Sequence, residues 1–308
     1  MTTAKPPLAV LLMAYGTPRT RAEIEPYYTD IRRGRPPTPE QLADLTARYE
    51  ALGGTSPLAA RTEAQRDGLQ AALDAQSPGT FHVVLGLKHA DPKVEVSVAN
   101  LAKQGYDKAV AMVLAPHFST MSVGEYLHRA TTAGDEHGVD IRGITNWHLE
   151  PTYIDFLAAD MTAKLATMPD RTQVLFTAHS LPERVLALGD PYPDQLRETA
   201  VAVAAKVGLP ADRWRTAWQS AGRTPEPWLG PDILTVVDDA LGTWDGVLVC
   251  ACGFISDHLE VLYDLDIETA HKAAELGIAF ARTRAMNDDA TILSALAGQI
   301  IARAADWV

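Results

Sequence analysis

The side chains best suited to chemistry in this sequence are an imidazole and a carboxylate, each placed after a short apolar run. His179 follows Val174–Phe176, and Glu260 closes a segment that follows the run Gly246–Val249. Apolar runs of this length are consistent with buried strands, and open α/β sheets bind ligands at the carboxyl ends of their strands. Histidine has an ordinary pKa of about 6.5 and can accept a proton near neutral pH. The pair therefore predicts proton-coupled chemistry in a cleft.

Glu260 is also the first of three carboxylates at four-residue steps, followed by Asp264 and Glu268. Like charges at this spacing on a helix repel each other and cost about 0.2–0.5 kcal/mol per pair. The row therefore suits a path for a cation, while an ordinary acidic face in contact with solvent would give the same pattern. Four-residue steps drift around an α-helix, whereas a wider π-type turn would align the three side chains.

Strands and helices must position these groups, and the hydrophobic pattern predicts an alternating series of both. The candidate strands are Leu8–Ala14, Phe81–Leu87, Ala109–Ala115, Ile141–Trp147, Gln173–Thr177, Arg215–Trp218, Gly246–Cys250 and Ile278–Arg282. The candidate helices are Pro39–Ala51, Ala59–Ala75, Val94–Gln104, Val123–His137, Tyr153–Leu165, Tyr192–Val207, Pro231–Leu241 and Ala290–Trp307. Such alternation predicts parallel sheets built from right-handed βαβ units.

The series of elements is also doubled. Val113–Ser119 resembles Val249–Ser256, because in each an apolar run leads through small residues to Phe and Ser. The strand ends at Gly86–His89 and Trp218–Ser220 hold matching places in the two halves. We therefore expect an α/β fold of two similar domains, each a four-stranded parallel sheet flanked by helices.

The boundary between these halves is expected near residues 147–151. The first half would take residues 1–147 and, through a final helix that crosses back, residues 288–308. The second would take residues 148–287, including His179 and Glu260. A ligand would then lie between the halves, near the carboxyl ends of both sheets.

The composition is typical of a globular protein and argues against general binding of nucleic acid. The chain has 308 residues, of which 47% are hydrophobic and 21% charged, and its net charge is −12. Nucleic-acid binding usually requires a basic surface. No apolar run approaches the roughly 20 residues of a membrane-spanning helix, so we expect no membrane insertion. Cys250 and Cys252 could form a metal or redox site, but two buried strand thiols are the simpler interpretation and fit a reducing cytosol.

Motifs along nearly the whole chain resemble, in order, those of the ferrochelatases. They are Met13–Pro18, Tyr28–Arg35, Arg48–Leu58, Leu114–Ser119, Thr177–Glu183, Trp218–Ser220, Pro227–Pro231 and Gly253–Tyr263. The resemblance implies an enzyme that inserts ferrous iron into a porphyrin held in a cleft between two Rossmann-like halves. It implies that His179 abstracts protons and that Glu260 accepts them or touches the metal. Both residues are candidate contacts of the Fe²⁺ substrate, and His179 either takes protons only or also touches the iron. A π-type turn would then make Asp264 and Glu268 an outer metal path.

Tyr15 begins a Tyr-Gly-Thr-Pro motif, which resembles the branch of the family that metallates coproporphyrin III rather than protoporphyrin IX. In that branch the phenol is axial to the product iron, opposite His179; a tyrosine packed in a cleft wall is the simpler alternative. Coproporphyrin carries four propionates against two, and guanidinium groups bind carboxylates well, although an Arg-rich surface loop is usually only solvated. The candidate porphyrin contacts are Tyr15, Arg32, Arg48, Ser56, Lys88, Tyr126, Ser220 and Thr224, with Arg33 a weaker candidate. His89 resembles a cleft-rim histidine that could handle metal, and a purely structural histidine is an equal alternative.

The resemblance implies a cytoplasmic monomer that converts coproporphyrin III and Fe²⁺ to coproheme and hands it transiently to the next haem-pathway enzyme. The alternatives are a protoporphyrin IX ferrochelatase, a cobalt or nickel chelatase, and a non-catalytic haem-binding or handover protein. Retention of both His179 and Glu260 argues against the last. The first strand lacks a following Gly-x-Gly-x-x-Gly, which argues against a nucleotide-binding protein. Because some ferrochelatases hold a [2Fe–2S] cluster on four cysteines and this chain has two, we expect no cluster and no tightly bound cofactor.

Overall fold

The computed structural model describes residues 7–222 and 224–308, which form two compact units. The first unit takes the chain up to Ala115, Ser122–Asn146 and Asn287–Val308, and the second takes Pro116–Met121 and Trp147–Met286.

The first unit is built on four parallel strands. They are β1 (Leu8–Ala14), β2 (Phe81–Leu87), β3 (Lys108–Val113) and β4 (Asp140–Ile144). Their order across the sheet is β2-β1-β3-β4. The helices of this unit are α1 (Ile24–Ile31), α2 (Pro39–Ala51), α3 (Leu58–Gln76), α4 (Val94–Lys103), α5 (Val123–His137) and α11 (Ala290–Arg303). Every residue of β1 is buried, as expected for an inner strand of a covered parallel sheet, and this explains its unbroken apolar sequence.

The second unit is also built on four parallel strands. They are β5 (Thr172–His179), β6 (Trp214–Gln219), β7 (Gly246–Cys250) and β8 (Ala279–Arg282). Their order is β6-β5-β7-β8. The helices are α6 (Pro151–Leu165), α7 (Arg184–Ala187), α8 (Tyr192–Val207), α9 (Ile233–Asp239), a π-helix (Val261–Thr269) and α10 (Ala270–Glu275).

The two sheets have the same strand order, each strand of the second corresponding to the strand four places earlier in the chain. The predicted α/β class, with two four-stranded parallel sheets flanked by helices, is therefore confirmed. Some predicted element bounds shift. The strand expected at Ile141–Trp147 ends at Ile144, because Trp147 donates its N–H to the carbonyl of Pro116 at 3.0 Å and packs its ring on Tyr153. Helix α1 lies in a segment that the sequence pattern did not assign to a helix.

One short segment departs from the predicted halves. Pro116–Met121 falls within the expected first half of residues 1–147, yet it packs as part of the second unit. The cause is the buried carboxylate of Asp190. Its Oδ2 atom accepts hydrogen bonds from the Ser119 hydroxyl (3.0 Å) and from the N–H and hydroxyl of Thr120 (both 2.7 Å).

The π-helix is held against the second sheet by a hydrophobic core. Val261 and Leu265 of the helix belong to the same buried cluster as Leu175 of β5 and Val249 of β7. Burial of side chains of this size contributes about 1.5–3 kcal/mol each. This packing fixes the helix close to the sheet whose strand β5 ends at His179.

Candidate active site

His179 is the last residue of β5 and pairs in register with Gln219, the last residue of β6. The turn that follows is fixed by Ser180. Its N–H donates to the carbonyl of Gln219 and its hydroxyl to the carbonyl of Leu229, both at 2.8 Å. The Tyr192 hydroxyl donates to the carbonyl of His179 at 3.1 Å. These bonds hold the imidazole at the end of its strand, where the sequence pattern predicts it.

The ring of His179 has a defined orientation. Its Nδ1 atom hydrogen-bonds to the carbonyl of Ser180, which leaves Nε2 facing Glu260, 3.5 Å from Oε1. The other carboxylate oxygen of Glu260 lies 3.6 Å from Nε2 of His258. Glu260 therefore sits between two imidazoles. The side chains of His179 and Glu260 are each 36% exposed, so both remain accessible to a ligand.

The charge of each partner shifts the pKa of the other. Burial lowers the pKa of His179, but the Glu260 carboxylate and the hydrogen bonds outweigh it and raise the value to about 9. Burial likewise raises the pKa of Glu260, and the charges of His179 and His258 outweigh it and hold the value well below its usual range. At neutral pH the ligand-free site is therefore an imidazolium–carboxylate pair.

The predicted π-type geometry is confirmed. The π-helix Val261–Thr269 begins directly after Glu260, so Glu260, Asp264 and Glu268 lie along a helix of wider turn. The Thr269 hydroxyl donates to the carbonyl of Asp264, five residues earlier, at 2.6 Å. Asp264 is 7% exposed and Glu268 is half-buried, so the row runs from the open pair into partly enclosed surroundings.

Of the two porphyrin candidates of the second unit, both of which follow β6, Ser220 contacts the π-helix. Ser220 follows β6 with a left-handed backbone (φ 59°), a strained conformation for a residue other than glycine, and its hydroxyl donates to the Asp264 carboxylate. Thr224 is exposed and accepts a hydrogen bond from the Trp228 indole at 2.9 Å. Contact of either hydroxyl with porphyrin stays a prediction.

Tyr15 follows β1 in the first unit and is 42% exposed. Its ring centroid lies 4.6 Å from that of His89 and 6.5 Å from that of Tyr27. His89 is held through Nδ1 by Asp30 (2.7 Å), which also pairs with Lys93 (2.9 Å). Burial lowers the pKa of His89, and the bond to Asp30 only partly opposes this. The phenol is therefore backed by an imidazole that favours its neutral form.

Three further candidates lie near the ends of β2 and the starts of α3 and α5. The Lys88 ammonium pairs with Glu125 at 2.7 Å and lies 5.3 Å from the centre of the Tyr126 ring. Tyr126 is buried, and burial raises the pKa of its phenol. Ser56 is also buried, and its hydroxyl accepts from the N–H of Leu58 at 3.2 Å, so it supports the start of α3.

The candidate arginines lie on neighbouring helices of the first unit. Arg32 follows α1, with its guanidinium 5.7 Å from the centre of the Tyr28 ring. Arg33 continues the turn with a left-handed backbone (φ 57°) and is exposed. Arg48 lies in α2 and pairs with Asp44 at 3.5 Å. Arg32 and Arg48 are thus half-buried, whereas Arg33 is exposed.

Sequence reasoning did not single out two side chains that shape the site. His258 stands two residues before Glu260 in a motif already noted, and that spacing was the available signal. Arg282 bonds Asp257 and Asp266 on either side of Glu260 in the chain. Nothing in its local sequence marks it, because β8 brings it to the π-helix from sixteen residues beyond Asp266.

Within residues 7–222 and 224–308, no group of three or more His, Cys, Asp or Glu side chains could hold a metal ion. Over the same residues, none of the helices is both long and apolar enough to cross a membrane. Cys250 and Cys252 are buried free thiols, and burial raises the pKa of Cys252.

Comparison with solved structures shows which class of fold this is. The chain is similar to SirB from Bacillus subtilis with Fe³⁺, with a TM-score of 0.59 at 12% identity, covering 98% of this chain and 97% of that one. It is also similar to a multi-domain protein of Deinococcus radiodurans with structural similarity to chelatases (TM-score 0.53, 12% identity), covering 96% of this chain and 55% of that one. The fold is therefore that of the chelatases.

The family follows from sequence. The ferrochelatase family model matches residues 7–304. A ferrochelatase of Herpetosiphon aurantiacus is 44% identical, covering 94% of this chain and 96% of the relative. Coproporphyrin III ferrochelatases are 44% identical in Halalkalibacterium halodurans (95% and 96% covered) and 41% identical in Bacillus subtilis (96% and 97% covered). The chain belongs to the ferrochelatase family, and its activity is iron insertion into a porphyrin in haem synthesis.

Proposed function

We propose that this protein inserts Fe²⁺ into coproporphyrin III, with His179 as the proton acceptor and Glu260 as its proton and metal partner. The observation that supports this proposal most directly is the 3.5 Å distance between His179 Nε2 and Glu260 Oε1 at the start of a π-helix. Metal insertion must remove two protons from pyrrole nitrogens and replace them with a dication. An imidazole that exchanges protons beside a carboxylate meets both needs.

The geometry supports a division of labour between the two residues. Because Nδ1 of His179 is committed to the carbonyl of Ser180, Nε2 is the atom that exchanges protons. In the ligand-free site Nε2 is protonated, so it first releases that proton to Glu260 or to solvent and then takes one from a pyrrole nitrogen. A proton received there can pass to Glu260 or leave along the Asp264 and Glu268 carboxylates. The same row, running in the opposite direction, offers a dication successive carboxylate oxygens, whose negative charge attracts it.

The choice of coproporphyrin III is supported by relatives with that name and by the first unit. Arg32, Arg48 and Lys88 are cations that can pair with propionate carboxylates, and coproporphyrin has more propionates to bind than protoporphyrin. Ser56, Tyr126, Ser220 and Thr224 are proposed as neutral contacts. Tyr15, with an exposed phenol, is proposed as the axial group on the product iron.

The decisive experiment is anaerobic insertion of Fe²⁺ into coproporphyrin III and protoporphyrin IX, assayed side by side. We expect clear preference for coproporphyrin III. Preference for protoporphyrin IX would overturn the substrate assignment. No turnover of either, with retained binding, would favour a haem-binding or handover protein.

The base assignment is tested with His179→Ala, which should abolish turnover and leave porphyrin binding measurable. His271→Ala is the matched control, because His271 is an exposed histidine of the same unit whose side chain is 76% accessible. Full activity of His179→Ala, or equal losses in both variants, would contradict the assignment.

The iron is proposed to be substrate and not a resident cofactor. Two buried cysteines are too few for a four-cysteine cluster, and both lie at the end of β7. Protein treated with a chelator and then supplied with Fe²⁺ should recover full activity. Loss of activity that Fe²⁺ alone does not restore would refute this. A cytoplasmic monomer that passes its product to the next enzyme of the pathway remains part of the proposal.

A further inference from the structure

Arg282 bridges two carboxylates that flank Glu260 in the chain. Its Nε and Nη2 atoms bond both oxygens of Asp266, at 2.6 and 2.8 Å, and Nη2 also bonds Asp257 at 3.0 Å. The Arg282 side chain is only 15% exposed. Asp257 precedes Glu260 by three residues, and Asp266 lies inside the π-helix.

The bridge links the segment just before the π-helix, through Asp257, and the middle of the π-helix, through Asp266, to strand β8. Arg282 is the last residue of β8 and pairs in register with Val249 of β7, so its backbone is fixed. The planar guanidinium fork binds carboxylates with defined geometry, which a lysine ammonium cannot reproduce. Because Asp257 and Asp266 are both bonded to this one planar group, the segment between them, which includes Glu260, has little freedom to shift.

The bridge also answers an energetic problem. π-helices are rare, and this one carries the row Glu260, Asp264 and Glu268, whose like charges repel. Asp257 and Asp266, the two carboxylates that Arg282 bonds, do not belong to that row. The guanidinium therefore adds positive charge and a fixed spacing without occupying the oxygens proposed for the metal.

We infer that Arg282 is a positioning residue for iron, which sets the spacing of the carboxylate row through Asp257 and Asp266. The inference rests on the proposed role of Glu260. It predicts a selective effect, because His179 is held by bonds to β6 and α8 that do not involve Arg282.

The test is steady-state kinetics of Arg282→Gln under anaerobic conditions, with each substrate varied at saturation of the other. We expect the KM for Fe²⁺ to rise about tenfold or more, as when a partner that orients a metal ligand is lost, while the KM for porphyrin changes less than about twofold. Arg282→Lys should give a smaller rise. Equal increases in both KM values, or none in the KM for Fe²⁺, would overturn the inference.

Arg284→Gln is the matched control. Arg284 is two residues further on, and its guanidinium lies 3.7 Å from Asp160 and over the ring of Phe156, both in α6, so its loss should leave both KM values unchanged. The same rise in Arg284→Gln would also overturn the inference. If Arg282→Gln does not fold, Asp266→Asn and Asp257→Asn are the alternatives. Each removes one of the two ion pairs of Arg282, and each should raise the KM for Fe²⁺ alone.

Glu260→Gln separates this inference from the proposed function. Normal iron insertion by Glu260→Gln would refute the role of Glu260 itself. Loss of insertion by Glu260→Gln together with an unchanged KM for Fe²⁺ in Arg282→Gln would leave the proposed function standing and refute only the role of Arg282.

Discussion

The pKa of His179 should fall sharply when the charge of Glu260 is removed without changing its shape. In the native pair, burial lowers the pKa of His179, and the carboxylate more than compensates to reach about 9. In Glu260→Gln the opposing effect of burial remains, together with the smaller contributions of Ser180 and Asp264. We therefore expect a value at or below the ordinary 6.5, a fall of about 2.5 pH units or more.

The measurement is an NMR titration of the His179 imidazole in protein free of iron and porphyrin. The chain has nine histidines, so the His179 resonance is assigned by its absence in His179→Ala. Asp264→Asn is the control, because Asp264 is the smallest of the named contributors and its loss should lower the pKa only slightly. A value near 9 in Glu260→Gln, or near 6.5 in the native protein, would refute the electrostatic reasoning.

The same pair predicts how stability depends on pH. The raised pKa of His179 gives stability that is fully present below its ordinary 6.5 and is lost as pH rises through about 9. The lowered pKa of Glu260 gives stability that is present above its ordinary 4.5 and is lost as pH falls toward the lowered value. The free energy of unfolding should therefore differ most between native protein and Glu260→Gln at pH values between these two ordinary pKa values.

Three further predictions follow from the same structure. Asp264→Ala combined with Glu268→Ala should raise the KM for Fe²⁺ more than that for porphyrin, and unchanged iron kinetics would contradict the proposed path. Tyr15→Phe should change the visible spectrum of the bound iron product, and an identical spectrum would exclude axial contact. Burial, aided by the charge of a neighbouring histidine, lowers the pKa of His117 to about 3, so the free energy of unfolding should fall by up to about 1.4 kcal/mol per pH unit below its ordinary 6.5. Urea unfolding of His117→Asn should show a smaller loss on acidification, and an equal loss would contradict this.

The sequence predicted the features that depend on local pattern. Strands buried in a parallel sheet have unbroken apolar sequences. The sequence therefore predicted where β5 and β7 end, and with them the positions of His179 and of the segment that leads to Glu260. The π-helix was expected from the resemblance and from carboxylates at four-residue steps, a pattern that an α-helix would not align.

The sequence did not predict features that depend on tertiary packing. Arg282 bonds Asp266, sixteen residues earlier, and Asp257, twenty-five residues earlier. The pairing of β8 with β7 brings its side chain to both. The membership of Pro116–Met121 in the second unit depends on the buried carboxylate of Asp190, far along the chain. Helix α1 was missed because it is only eight residues long and its single buried residue is Ile24.

The equal strand order of the two units makes their differences informative. Strands β1 and β5 occupy equivalent places, and their ends carry Tyr15 and His179 respectively, so one architecture presents a phenol in one unit and an imidazole in the other. Strands β4 and β8 are also equivalent, and they end at Ile144 and Arg282.

The helix that follows the third strand of each sheet, β3 or β7, also differs between the two units. In the first unit it is the regular α5, and in the second the π-helix bridged by Arg282. A duplicated fold needs no guanidinium at this strand end, because the first unit does without one. The guanidinium and the π-helix occur together in the unit that carries Glu260, which is what a positioning role for Arg282 requires and what a general need of the fold does not explain.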